Sequence, residues 1–426
     1  MAAHFRTIAL TLTFAIFVLI TPALAQGPSL LFDPATNEVI SQDRAGEPWY
    51  PASLTKLMTS YLVFKTLRAG TLKLDQMIPV SASAASMPPS KIGIRAGGSV
   101  SVDFALQALL VYSANDMAYV LAEGAAGTTQ GFILLMNETA RQLGMSGTHF
   151  VNPNGLFEPR QVTTARDLAL LAAAILRDFP EYGHYFSQPY LAIGKRHLAN
   201  HNSLLGQMRE ADGMKTGFVC NSGFNLVASA THEGRKLVAV VLGAPSGKAR
   251  SDLARMLLVD GFARPPAGQR PHVAELANDK LGAIVPADMT ASVCKKKAAV
   301  TIVGARDLTG WGISFGNYDS AQKADMALRG RLLSPAAMDA HGNAGIFRMP
   351  GQKTYSAVLW NLDQAAGPSI CAKYRMENAY CEVMTPLEFA RIAALTPEPT
   401  PKKQKPVAEG SDNAAPKKKL RPGVKH

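Results

Sequence analysis

Apolar and polar positions along the chain follow two different periods, and the changes between them mark out the elements. Ser29-Leu30-Leu31-Phe32 is a short apolar run, followed by the turn-forming Asp33-Pro34-Ala35-Thr36-Asn37 and then Glu38-Val39-Ile40. This predicts two short strands joined by a turn. From Ser53 the spacing changes: Leu57, Tyr61, Leu62, Phe64 and Leu67 recur at helical intervals until Ala69-Gly70, which predicts a helix stopped by glycine. Gly70 to Gly98 reads as loop, Val102 to Leu110 as a second helix and Met117 to Ala126 as a third. Phe224–Ala230 and Leu237–Leu242 read as strands across the turn Glu233-Gly234-Arg235, which places Lys215-Thr216-Gly217 on a strand of the same antiparallel sheet.

After Phe262 the stretch Arg264-Pro265-Pro266-Ala267-Gly268 has linker chemistry. A second set of elements follows: a strand over Trp311–Tyr318, an alanine-rich helix over Ala321–Leu333, a strand over Tyr355–Leu359, a weaker helix over Pro368–Met376 and a last strand near Tyr380–Met384. From Pro397 onward Pro, Lys and Ala dominate and aromatic residues are absent. Such a composition buries too little surface to fold and is expected to be a disordered basic tail. The expected organisation is a signal peptide at 1–25, a catalytic domain at 26–263, a linker at 264–297, a small domain at 298–390 and the tail at 391–426.

Composition and charge add the compartment. Hydrophobic residues make up 47% of the chain, enough to build cores, and the net charge is +12. His4 and Arg6 precede an apolar run from Ile8 to Ile20 and the small residues Ala23-Leu24-Ala25, the three-part pattern of a secretory signal peptide cleaved after Ala25. The run is shorter than the roughly 20 residues a membrane span needs. The protein is therefore expected to be exported and periplasmic, soluble or peripherally associated with membrane or wall. Its basic charge then suits anionic wall polymers or lipid headgroups rather than nucleic acid. Export permits disulfides. Cys371 and Cys381 are close enough to bridge a short loop; a pairing of Cys220 with Cys294 is allowed but has no support in the sequence, and the pairing stays open. The cysteine spacings do not suit zinc, and no metal site is expected.

Three short segments carry candidate chemistry. Ser53 stands three residues before Lys56, so a helix brings hydroxyl and amine to one face; a desolvated lysine is then a base for the serine. Ser113-Ala114-Asn115 lies between two predicted helices and offers a hydroxyl and a carboxamide for proton relay and substrate binding. Lys215-Thr216-Gly217-Phe218 lies on a predicted strand, where Gly217 allows close approach and Lys215 with Thr216 offers a site for a carboxylate. Each segment alone is commonplace: a helix cap, a turn, a strand-end lysine. Together, and in this order, they match the signature set S-x-x-K, S-D-N and K-T-G of penicillin-binding proteins and class A β-lactamases, with Ala114 replacing the middle Asp.

Residues from about Leu30 to Phe262 resemble the serine D-Ala-D-Ala carboxypeptidases, the low-molecular-mass penicillin-binding proteins. Beyond the three motifs, the resemblance rests on Leu143-Gly144-Met145, Thr148-His149-Phe150, Asn152-Pro153-Asn154-Gly155-Leu156, Thr163-Thr164-Ala165-Arg166-Asp167-Leu168 and Gly223-Phe224-Asn225-Leu226-Val227. It implies an α/β (α+β) fold of the β-lactamase/transpeptidase type, a central antiparallel sheet flanked by helices. It also implies Ser53 as nucleophile, Lys56 as base, and Ser113 and Asn115 in proton transfer and substrate holding. Lys215 and Thr216 would anchor the terminal carboxylate, with Lys215 charged. The backbone amides of Ser53 and Phe218 would form the oxyanion hole. No cofactor is needed. Peptidoglycan stem peptides are the implied substrate and β-lactam antibiotics the implied covalent inhibitors.

The region from about Ala298 to Met384 resembles a SPOR domain, a small α+β module that binds peptidoglycan glycan strands lacking stem peptides. Alternative readings are a DD-endopeptidase acting on cross-linked peptides, a β-lactamase, or a non-catalytic wall-binding protein. Glu158, followed by Pro159, resembles the glutamate loop of class A lactamases but reads here as a surface loop residue. His201, in Asn200-His201-Asn202, has two readings: a packed or exposed histidine first, and a neighbour of the carboxylate pocket second.

Overall fold

The computed structural model describes residues 27–266, 268–294, 300 and 302–396. The expected signal peptide and everything from Pro397 onward lie outside the described residues.

Strands β1 (Ser29–Phe32) and β2 (Val39–Asp43) form the expected hairpin. Asp33 shapes its turn, with the backbone carbonyl accepting from Asn37 N at 2.7 Å and the carboxylate from Ala35 N at 3.0 Å. A single 3-10 turn, Ala52–Leu54, carries Ser53 and leads into helix α1 (Thr55–Arg68). Every residue of α1 from Thr55 to Phe64 is buried, so it is an interior helix with no solvent-facing stripe over its first turns.

The stretch expected as loop after Gly70 is more ordered than its sequence suggests. Strand β3 (Met77–Pro79) pairs with β4 (Ser99–Ser101), and between them α2 (Ala82–Ser86) is capped by the Ser81 hydroxyl, which accepts from Ala84 N. Elements this short leave no periodic signal. Helices α3 (Val102–Leu110), α4 (Asn115–Ala126), α5 (Thr129–Gln142) and α6 (Ala165–Asp178) follow, then the one-turn α7 (His184–Ser187) and a hairpin of β5 (Tyr190–Ile193) and β6 (Arg196–Ala199).

Strands β7 (Ala211–Val219), β8 (Gly223–His232) and β9 (Arg235–Ala244) complete the main sheet, and α8 (Gly247–Phe262) closes the unit. The order is β2-β1-β9-β8-β7, antiparallel throughout, with β7 at an edge. Strand β9 shows why its sequence is apolar without alternation. Val238, Val240 and Leu242 join the core shared with α1, α4 and α6, while Leu237, Ala239 and Val241 pack on the opposite face with Ala254 and Leu258 of α8. A sheet covered by helices on both faces buries successive residues alike.

The segment expected as a linker is fastened to this unit. Val39 N donates to Pro271 O and Val273 N to Asn37 O, each at 2.9 Å. Arg166 donates to the carbonyls of Leu276 and Ala274, and Asn278 joins Thr164 and Asp167. Helix α9 (Thr290–Val293) ends at Cys294, which is bonded to Cys220. Pro and Gly keep the start of this stretch irregular, but its later polar groups meet partners that sequence spacing does not reveal.

The second unit runs β10 (Trp311–Tyr318), α10 (Ala321–Leu332), β11 (Asn343–Arg348), β12 (Tyr355–Leu362), α11 (Ala366–Met376), β13 (Glu382–Met384) and α12 (Pro386–Ala394). Its antiparallel sheet has the order β11-β12-β10-β13, a β-α-β-β-α-β arrangement. Helices α10 and α11 cover one face, with Cys371 of α11 bonded to Cys381; Phe389 of α12 packs on the other with Val358 and Trp360. Strand β11 and helix α12 went unread in the sequence. The helix crosses the expected start of the tail because Thr385 and Glu388 form a capping box at its head.

The two units touch. Tyr50 and Val162 share a small buried cluster with Leu333 and Met338. Arg329 of α10 pairs with Asp288 at 3.0 Å and lies 5.3 Å from the centre of the Phe157 ring. Among the described residues no helix is long and apolar enough to cross a membrane.

Candidate active site

Ser53 is delivered by a backbone that bends sharply. Ala52 just before it has φ +48, in the left-handed region that costs a side-chain-bearing residue roughly 1–2 kcal/mol. Neighbouring segments hold the bend. Asn225 of β8, fully buried, donates to the carbonyls of Tyr50 and Pro51 at 2.9 and 3.2 Å and accepts from Gly243 N at 2.9 Å. Gly155 has φ +83, and a Cβ there would fall 1.9 Å from Ala52 O. On the other side, a Cβ at Gly217 would fall 2.8 Å from Pro51 O and 3.1 Å from Ser53 N. Strand β7 thus presses its unpaired edge against the head of α1, and only glycine fits there.

Lys56, one turn on, is fully buried. Its Nζ lies 2.9 Å from Ser53 Oγ, 2.8 Å from Asn115 Oδ1 and 2.6 Å from the Asn154 carbonyl oxygen. Two of these partners only accept. A neutral amine satisfies all three contacts, with its two N–H bonds directed at the carbonyl oxygens and its lone pair at the serine hydroxyl. The environment favours that state: burial, then the charge of Lys215, hold Lys56 well below the ordinary lysine value, with Asp116 opposing.

Ser113 sits on the turn between α3 and α4 with φ +61, and Asn115 begins α4. The Asn115 amide is oriented by its other end, since Nδ2 donates to Pro88 O at 3.0 Å. Ala114 between them is fully buried in the main core, so the departure from the Ser-Asp-Asn pattern removes no group from the cavity. Asp116, next along α4, accepts from the backbone of Ile92 and Gly93 and thereby pins the 88–93 loop at the rim.

Ser53, Ser113, Asn115, Thr216, Gly217 and Phe218 all line one cavity of about 470 Å³. Lys56 reaches it through Ser53. Lys215 does not line it: the side chain is buried, its Nζ donates to Thr216 O at 2.9 Å, and burial followed by the charge of Arg250 lowers it to about 7. Burial without a carboxylate partner thus works against the fixed charge expected of Lys215.

The cation that does line the cavity is Arg250 of α8, lowered by burial to about 10 and still charged at neutral pH. It holds the carbonyls of Asn225 at 3.4 Å and His201 at 3.3 Å, while its buried Nε has no protein partner. Sequence reasoning missed Arg250 altogether and assigned no role to Asn154 or Asn225, although both lie in segments that carry the family resemblance.

His201 also lines the cavity, the second of its two sequence readings, with its ring 5.3 Å from that of Tyr112. Burial first, then Lys215, Arg250 and Lys56, lower it to about 4, so it is neutral. Glu158 instead pairs with Arg160 at 3.0 Å outside the cavity, and no carboxylate is among the described lining residues. Among the described residues no cluster of three or more His, Cys, Asp or Glu is placed to hold a metal ion.

The main sheet and its helices have the penicillin-binding-protein fold. The crystal structures of penicillin binding protein 5 from Haemophilus influenzae align with a TM-score of 0.54 at 36% identity, over 57% of this chain and 72% of that one. Residues 19–246 match the family described as Peptidase_S11, D-alanyl-D-alanine carboxypeptidase, and the chain belongs to that family. The D-alanyl-D-alanine carboxypeptidase DacC of Escherichia coli K12 is 39% identical over 240 residues, 55% of this chain and 60% of that protein. A D-alanyl-D-alanine endopeptidase of Pseudomonas aeruginosa is 31% identical over 229 residues, 52% of this chain and 72% of that protein. The chain spans about 60% of the length of the first of these relatives, and the family match ends before the second unit.

Proposed function

We propose that this protein is a serine-type D-Ala-D-Ala carboxypeptidase that removes the terminal D-Ala from peptidoglycan pentapeptides. The observation that carries the reading is the 2.9 Å contact between Ser53 Oγ and the buried Lys56 amine, at a cavity whose wall also holds Arg250. Ser53 attacks the carbonyl of the penultimate D-Ala while its proton passes to Lys56 Nζ. Backbone donors at Ser53 and Phe218 stabilise the developing oxyanion, an effect worth about 10²–10³ in rate per donor elsewhere. Ser113 passes the proton to the amine of the departing D-Ala as the C–N bond breaks. Water then attacks the ester on Ser53, giving up a proton to Lys56, and the shortened peptide leaves. Arg250 and Thr216 bind the terminal carboxylate, with Asn115 beside them in the wall and Lys215 buried behind Thr216.

Release of free D-Ala from a pentapeptide, lost in Ser53→Ala, tests this; labelled penicillin attaching to that variant would overturn the nucleophile assignment. Endopeptidase action on cross-linked peptides is the second reading, favoured by similarity to the P. aeruginosa endopeptidase and distinguished by cleavage of a cross-linked dimer. The lactamase reading loses support because Glu158 points away from Ser53's cavity.

Export to the periplasm follows from the leader pattern and fits two disulfides; a mature N-terminus at Gln26 would support it. The β-α-β-β-α-β order of the second unit supports its reading as a SPOR-type glycan-binding module. Binding of the chain to amidase-treated sacculi tests that reading, and failure to bind counts against it.

A further inference from the structure

A second cavity of about 750 Å³ lies between the two units, and its walls continue those of the active site. Leu156 and Val219 line the first cavity; the next residues in the chain, Phe157 and Cys220, line the second. The two spaces therefore adjoin within one peptide unit at two places.

The chemistry of this cleft is selective. Its charged side chains are two arginines and three carboxylates, and they are satisfied among themselves. Arg160 pairs with Glu158, and Arg329 with both Asp288 and Asp325. A charged ligand would have to break those pairs and leave their partly desolvated partners uncompensated. What the cleft leaves accessible is part of one aromatic ring, the Asn343 amide and bare backbone. Phe157 is 37% exposed although Arg329 and Tyr50 pack against its ring; Asn343 is exposed at the head of β11, and Gly342, just before that strand, and Ala344 put little side chain into the wall. This combination suits an uncharged chain rich in hydroxyl and acetamido groups.

We propose that the cleft binds the N-acetylated glycan to which the stem peptide is attached, so that glycan and peptide are held on the two sides of the Leu156–Phe157 step. The inference rests on the carboxypeptidase reading and deepens it: the substrate is recognised at both ends, by both units of one chain. Three residues separate the glycan from the scissile D-Ala in a pentapeptide, a reach of roughly 10 Å when extended, which suits adjoining cavities. The cleft is walled by β11, Trp360 and α10 of the second unit on one side and by the 157–160 loop on the other.

The test compares D-Ala release from a pentapeptide carrying its N-acetylated disaccharide with release from the same peptide free. The wild type is expected to favour the linked substrate by about 10-fold in kcat/KM, equivalent to about 1.4 kcal/mol. Phe157→Ala, which removes the aromatic surface, and Asn343→Trp, which fills the cleft from an exposed position, should each bring the ratio near one, with thermal unfolding reporting on the fold. Equal wild-type values for the two substrates, or a ratio unmoved in both variants, would overturn the proposal while leaving the carboxypeptidase reading intact. Release from neither substrate would remove that reading and the cleft's role with it.

Discussion

The backbone carbonyl of Asn154 lies 2.6 Å from Lys56 Nζ. That contact, from a residue 98 positions away, occupies one N–H of the amine and helps to leave its lone pair for Ser53. A lysine so placed works as a base only when neutral, and its burial provides that.

Acylation by labelled penicillin should therefore proceed far below the ordinary lysine pKa and be lost only as the pH falls through the depressed value of Lys56. Lys56→Arg, whose guanidinium stays protonated, should slow acylation by about 10²–10⁴. A wild-type profile still climbing near pH 10 would contradict the neutral-amine geometry; stopped-flow acylation across pH measures it.

Lys215 predicts the opposite limb. Its value of about 7 means that the free enzyme loses this charge above neutrality, so kcat/KM for carboxylate-bearing peptides should fall as pH rises past about 7. Lys215→Arg should flatten that fall. An unchanged alkaline limb in the variant would assign it to another group.

Arg250→Ala should lower kcat/KM by about 10–100-fold on substrates with a free terminal carboxylate, the range expected for one or two charge-assisted hydrogen bonds. A thioester substrate lacking that carboxylate should be affected far less. Equal losses on both would mean that Arg250 supports the fold rather than the carboxylate.

Asn225→Ala leaves the carbonyls of Tyr50 and Pro51 and the amide of Gly243 without their partner. We expect a loss of about 1–3 kcal/mol in stability, read by chemical denaturation, together with slower acylation. Asn225→Asp should not rescue the rate, because a carboxylate accepts from Gly243 but cannot donate to the two carbonyls.

The buried lysines also tie stability to pH. Lys56 and Lys215 both have lowered values in the fold, so between those values and about 10.5 the unfolded chain binds more protons, and their contribution makes stability rise with pH. The unfolding midpoint of Lys215→Met should depend less on pH between 7 and 9 than that of the wild type.

Much of the catalytic unit was legible from residue order. The helix after Ser53, the strand bearing Lys215 and the hairpin at Ser29–Ile40 follow from periodicity, and three spaced motifs pointed to one cavity. What escaped depends on chain segments far apart in sequence. Arg250 belongs to a helix, α8, that was not read in the sequence, and Asn225, though part of a segment that carries the family resemblance, gives no sign there of its bonds to Tyr50 and Pro51. Lys215 carries the expected residue type, yet its burial moves its charge in a way that no motif specifies. In the second unit β11 begins Asn-Ala-Gly, a poor strand signal that pairing with β12 overrides.

The Cys220–Cys294 bond has a consequence for the order in which the enzyme is completed. Cys220 follows cavity-lining Val219 by one residue, but its partner lies 74 positions further along, beyond the last helix of the catalytic unit. During synthesis the catalytic sheet can assemble before its rim is covalently closed. A chain cut after Phe262 would keep every residue of the Ser53 cavity, and would carry a free thiol beside it.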